Sequence, residues 1–167
     1  TGEFTLTFGN FKVQMTVPAD HIVGATGECQ NYAQTLSATQ MARWQKAQTA
    51  KEPLQIVTLE EALNASRQKS KAKKTWVYKA SNVRDFAWTS SRRFVWDAMP
   101  VMIEGKKSMA MSYYAKEAYP IYSKYSTKAV AHTLKTYSKF SFPYPYPVAI
   151  SVEGNQGMEY PMISFNP

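Results

Sequence analysis

The chain has 167 residues, 44% hydrophobic and 19% charged, enough for one domain with a substantial core or for parts of two. Its net charge of +8 admits an anionic partner, yet Arg67, Lys69, Lys71, Lys73 and Lys74 crowd into one run, "RQKSKAKK", which reads as a solvated helix end or loop. A single cysteine, Cys29, excludes an internal disulfide framework and a Cys-based zinc cluster, and no run approaches the roughly 18 consecutive apolar residues of a helical membrane span.

From the start, "EFTLTFGNFKVQMTVPADHIVGATGE" alternates at period two through Phe4, Leu6 and Phe8, then Phe11, Val13, Met15 and Val17. This predicts an antiparallel β-hairpin turning at Gly9-Asn10 and closed by Pro18, then a short strand and a Gly turn. The first residue is Thr1 rather than Met, so a preceding segment is expected, and the absence of a signal-peptide pattern leaves export undecided.

Residues 30–74 are rich in Gln, Ala, Lys and Ser. "SATQMARWQKAQTA" predicts a short helix, and "TLEEALNASRQKSK" a better one, because Thr58 and Glu61 form an S/T-x-x-E capping box. Pro53 separates them, and the stretch reads as an excursion from a β framework. Strands return with Trp76, Tyr78, Val83, Phe86, Trp88, Phe94 and Trp96, aromatic-rich as strands prefer. A hairpin is expected around Gly105.

The best helix follows over 120–140, with Pro120 suited to its first turn and Tyr122, Tyr125, Val130, Leu134 and Tyr137 near a 3.6-residue period. A rigid turn "SFPYPYP", a strand "VAISVEG", a Gly turn and one final strand "MEYPMISF" complete the order. In that last strand Glu159 stands between Met158 and Tyr160, and a carboxylate among apolar side chains is expensive to bury unless something pairs with it.

The residues supply no complete catalytic constellation. His21 and His132 lie far apart, and there is no H-E-x-x-H, G-x-S-x-G, P-loop or GxGxxG. Both histidines read as structural or solvent-facing, and Cys29 as a small buried or half-buried side chain. Arg84, Trp88, Arg92, Arg93 and Trp96 interleave charge with aromatic rings as single-strand binders do, but aromatics at strand spacing are core positions, and no nucleic-acid partner is expected.

"YPYPVAISVEGNQGMEYPMISF" resembles the M1 family of zinc aminopeptidases, the gluzincin group. That family carries Gly-x-Met-Glu-Asn, often followed by Pro, after an aromatic Tyr-Pro turn and a strand. Here Gln156, Gly157, Met158, Glu159, Tyr160 and Pro161 fall in its place. "SNVRDFAWTSS" looks like the strand that ends the family's N-terminal β-domain, and the 120–140 helix stands where the first helix of its catalytic domain does. The resemblance covers 76–167 well and 1–29 loosely, and it leaves 30–74 as an insert. Two positions depart from the motif: Gln156 replaces its first Gly, and Tyr160 replaces its Asn.

The resemblance implies an α+β fold. Residues 1–98 are the latter part of an antiparallel β-rich domain of aminopeptidase-N type. Residues 99–167 begin a thermolysin-like catalytic domain with its first antiparallel sheet and helix. It also implies a function: Glu159 pairs with the free α-amino group of a peptide, while Gly157 and Met158, flanked by Gln156 and Tyr160, line the peptide as an added β-strand. The zinc and the general base belong to residues of the parent protein outside this chain, so no catalytic residue, bound zinc or hydrolysis is expected here. The partners implied are a peptide with a free N-terminus and the remainder of the catalytic domain. Relatives with this motif imply an extracytoplasmic, periplasmic or secreted, setting that the residues themselves do not fix. The reading of a different class is a non-catalytic β-rich module that binds a peptide or a polyanion.

Overall fold

A computed structural model describes residues 6–155 and 157–167. The first strand, β1 (Gly9–Pro18), is unbroken from Gly9, and its partner is β5 (Lys73–Val83), antiparallel in register from Gly9↔Val83 to Pro18↔Lys73. The expected hairpin at Gly9-Asn10 is therefore absent. Met15 and Val17 find a better apolar partner in Trp76 and Tyr78, which are fully buried, than in Leu6 and Phe8, which remain exposed; Phe4 lies outside the described residues.

Next come β2 (Ile22–Ala25) and β3 (Glu28–Cys29), joined by Gly27. Gly27 has φ +89, and a Cβ on it would sit 2.1 Å from the Lys79 carbonyl oxygen, so only glycine fits this turn. β3 pairs with β5, and β2 pairs with β6 (Trp88–Ser91).

Residues 30–74 hold α1 (Tyr32–Thr35), α2 (Ala38–Ala47), β4 (Leu54–Val57) and α3 (Leu59–Arg67). Both longer helices start at reciprocal caps, Ser37 with Gln40 and Thr58 with Glu61. The stretch is not an excursion. β4 pairs antiparallel with β7 (Val95–Ile103) as an edge of the main sheet, and Trp44 and Tyr32 pack on the Trp96 ring at 5.3 and 5.5 Å. Four residues after a proline are too few for a period to show.

β7 turns through Glu104 and Gly105 into β8 (Lys106–Tyr114), as the hairpin reading expects. The long helix α4 (Tyr119–Phe140), with Pro120 in its first turn, then crosses to β9 (Val148–Glu153), which lies parallel to β8. β10 (Met158–Tyr160) and β11 (Ile163–Asn166) close the sheet, whose spatial order is β10-β11-β9-β8-β7-β4. The expected boundary at 98/99 falls inside β7. The resulting α+β fold has mostly antiparallel sheets.

One face of the sheet packs against the β1-β5-β3 and β2-β6 layer around Trp76, Tyr78, Trp96 and Tyr113. The other carries α4. That helix buries Thr127, Ala131 and Leu134, whereas Tyr125 and Tyr137, placed on the inner face by periodicity, are 64% and 70% exposed. The helix turns its Thr127–Ala131–Leu134 stripe to the sheet, Thr127 over Ser112 and the other two over Val101, Ile103, Ala110 and Ala149, which leaves both rings on the outer face.

Candidate functional site

The strand expected over "MEYPMISF" is folded back on itself. β10 and β11 form a hairpin with Met158↔Phe165, Glu159↔Ser164 and Tyr160↔Ile163 opposed, turning through Pro161 and Met162. Proline fixes φ near −65° at the first corner, and Met162 has φ +65° at the second, the geometry of a type II turn that ordinarily asks for Gly. β11 lies between β9 and β10, parallel to β9, so β10 becomes the outermost strand. On the side away from β11, alternate backbone N–H and C=O groups of β10 face outward, as at the edge of any sheet.

Alternation within β10 settles where its side chains go. Tyr160 turns to the core, edge-on to Phe165 at 6.1 Å, while Glu159 turns to the α4 side and is exposed. The carboxylate is thus not buried among Met158 and Tyr160. Its neighbours in sequence are on the opposite face, and its partner across the strand pair is Ser164. Strand register places Gln55, Asp97, Ser112, Ser151, Ser164 and Glu159 directly opposite one another across all six strands. Helix α4 adds hydroxyls to this row: Thr127 donates to Ser112 at 2.9 Å, Ser112 to Ser126 at 2.8 Å and Ser126 to Ser151 at 3.3 Å. Asn166 donates to Ser151 at 2.8 Å. Satisfied hydroxyls of this kind make a polar lane tolerable in an otherwise apolar interface.

Where α4 stops covering the sheet, an open cleft of about 660 Å³ remains between the helix, the Tyr144–Tyr146 turn, β9 and the hairpin. Ser151, Ser164 and Asn166 form its polar floor; Val130, Leu134, Tyr144 and Ala149 give it an apolar wall. Glu159 and Arg84 are the charged residues among the described lining. An anionic side chain over a partly apolar cleft is chemically suited to an ammonium group, because fewer waters compete for either charge.

Of the expected site residues, Glu159 and Tyr160 line the cleft, whereas Gly157 and Met158 stand beside it. A Cβ on Gly157 would meet nothing within 4 Å, so packing does not require glycine there. Gln156 lies outside the described residues. Ser151 and Ser164 were not anticipated from sequence, and Arg84 stood there only in the basic-aromatic set. The available signal was one serine centred in each of three apolar strands, "MAMSYY", "VAISVE" and "MISF".

Burial pushes the Cys29 thiol up to about 11, which keeps it protonated and unreactive. His21 Nδ1 lies 2.8 Å from Ser90 Oγ, and burial, then the Arg92 charge, lowers its pKa. His132 is exposed on α4 and contacts Thr136. Arg92 pairs with Asp20 at 3.0 Å, Arg93 pairs with Glu117, and Trp96 is buried, while Arg84 and Trp88 are exposed. Within the basic run Lys74 is a departure. Its Nζ donates to the Thr35 carbonyl at 2.8 Å above the Trp76 ring, and burial, partly opposed by Asp20, lowers its pKa to about 8. Among the described residues no group of His, Cys, Asp and Glu is placed to hold a metal ion, and no helix is long and apolar enough to cross a membrane.

Solved structures similar to this chain include M1 zinc metallopeptidases. One from Deinococcus radiodurans matches 96% of this chain at 15% identity with a TM-score of 0.60, and the match covers 30% of that protein. A mutant two-domain M1 zinc metallopeptidase bound to L-tryptophan matches the same shares at 15% identity and a TM-score of 0.61. A Deinococcus radiodurans mutant bound to a Tyr-Ser-Ala substrate does so at 16% identity and 0.61. The likeness at such identities is one of fold, and this chain spans about 30% of the length of those proteins. No protein-family model and no curated protein matches the sequence.

Proposed function

We propose that this chain is the substrate-recognition portion of a zinc-dependent metalloaminopeptidase, with Glu159 as the anchor for the free α-amino group of a peptide. The observation that carries the reading is the position of Glu159: an exposed carboxylate on the outermost strand of the described sheet, over a cleft, in a fold shared with M1 zinc metallopeptidases. A peptide adds to β10 as a further strand, through backbone bonds beside Gly157 and Met158, and the Glu159 carboxylate ends the register by pairing with the terminal ammonium. A peptide blocked at its N-terminus brings no charge to that carboxylate and loses the pair.

Zinc and the general base are assigned to parts of the parent protein other than this chain, whose described residues do not fit a metal site. When bound there, zinc supplies Lewis-acid activation of water or carbonyl. Ile121, Tyr125, Tyr137, Phe140 and Phe142 are large apolar side chains left exposed on and just after α4. Such surface is suited to burial against the remainder of the catalytic domain, which begins, on this reading, at residue 99.

The test is Glu159→Ala in the full-length protein. KM for substrates with a free α-amino group is expected to rise far more than KM for N-blocked ones. Equal changes for both would remove Glu159 from the role.

A further inference from the structure

We propose that Thr26 is a positioning residue for Glu159, its hydroxyl pinning the β10–β11 turn to the β2–β6 layer; this rests on Glu159 being the amine anchor. Thr26 follows β2 and is completely buried. Its N–H donates to the Ala87 carbonyl at 2.9 Å, and its Oγ1 accepts from the Ala87 N–H at 3.1 Å. The one proton of that hydroxyl goes to the Pro161 carbonyl at 3.0 Å. Pro161 is two residues from Glu159, although 135 positions separate it from Thr26.

The turn needs holding. Met162 adopts φ +65°, a conformation unfavourable for a side chain other than Gly, Asn or Asp, and one that persists when its surroundings over-determine it. Two of those surroundings are hydrogen bonds, from Thr26 to Pro161 O and from the Ile150 N–H to Met162 O at 2.8 Å. A third is the Met162 side chain itself, buried in the core between the layers. β10 is three residues long with β11 as its strand partner, so the turn does much to set its place. Without the Thr26 hydroxyl, the Pro161 C=O and the Ala87 N–H both lose their part-buried partner, and the turn is free to relax toward a geometry that shifts Glu159.

Thr26→Val keeps the shape and removes the hydroxyl; Thr26→Ser keeps the hydroxyl. In the full-length protein, Thr26→Val is expected to speed hydrogen exchange at the Ile150 amide roughly tenfold while the β5 amides of Trp76 and Tyr78 stay protected, and Thr26→Ser to match wild type. KM for free-amine substrates is expected to rise roughly tenfold in the Val variant, with little change for N-blocked ones. Wild-type Ile150 exchange would overturn the pin. Faster exchange with an unchanged KM would make Thr26 structural only, which also overturns the proposal. If Glu159→Ala leaves the free-amine KM unchanged, the anchor reading fails, while the exchange measurement still decides whether Thr26 holds the turn. Thr26→Ala carries the same test should the Val variant not accumulate folded.

Discussion

Tyr114 donates a 2.7 Å hydrogen bond to Asp97 Oδ2 in the interior, while Asp97 Oδ1 is buried with no partner among the described residues. Burial raises the Asp97 carboxyl to about 6, with the Tyr114 bond opposing, against 3.8 for a free aspartate. A carboxyl whose folded pKa is raised favours the fold while protonated. Its contribution is complete below about pH 4 and is lost as pH rises through about 6. Urea titrations are expected to show wild type losing about 3 kcal/mol relative to Asp97→Asn across that window. Parallel pH profiles for the two proteins would refute the assignment.

Gly27→Ala is expected to be among the most damaging single substitutions outside the large core side chains. The new methyl would meet the Lys79 carbonyl at 2.1 Å, in a backbone conformation that L-residues avoid. A loss of about 3 kcal/mol or more follows, read as a lower urea midpoint or as failure to accumulate.

Glu61 serves two elements at once. Its Oε2 accepts from the Thr58 N–H at 2.8 Å and from Arg43 Nη1 at 2.7 Å, so it caps α3 and ties it to α2. Glu61→Ala is expected to cost about 1 to 2 kcal/mol, and Thr58→Ala about 1 kcal/mol, by chemical denaturation. Because both act on the same turn, the double variant should cost less than the sum.

Glu159→Gln separates recognition from folding. The side chain is exposed on the edge strand, so unfolding free energy is expected to stay within about 0.5 kcal/mol of wild type. Discrimination between free and blocked N-termini should nevertheless fall, as measured by the ratio of kcat/KM values.

Sequence revealed the local features and missed the partners. Thr58 and Glu61, Pro120 and Gly105 each carry their instruction within four residues, and each stands where expected. The pairing of β1 with β5 spans more than fifty residues, and Gly9-Asn10 offered a nearer, incorrect solution. Tyr125 and Tyr137 misled because periodicity reports which side chains share a helix face, not which face meets the sheet. Glu159 was legible as an anomaly through its apolar neighbours. Its actual surroundings, Ser164 and Ser151, arise from strand register, which no local pattern encodes.

The placement of β11 between β9 and β10 makes the edge conditional on its neighbour. β10 precedes β11 in the chain yet reaches the sheet through it, so the strand that carries Glu159 is held to β9 only by way of Ile163–Asn166. Any lesion that dislodges β11 abolishes the edge even when every residue of β10 is intact.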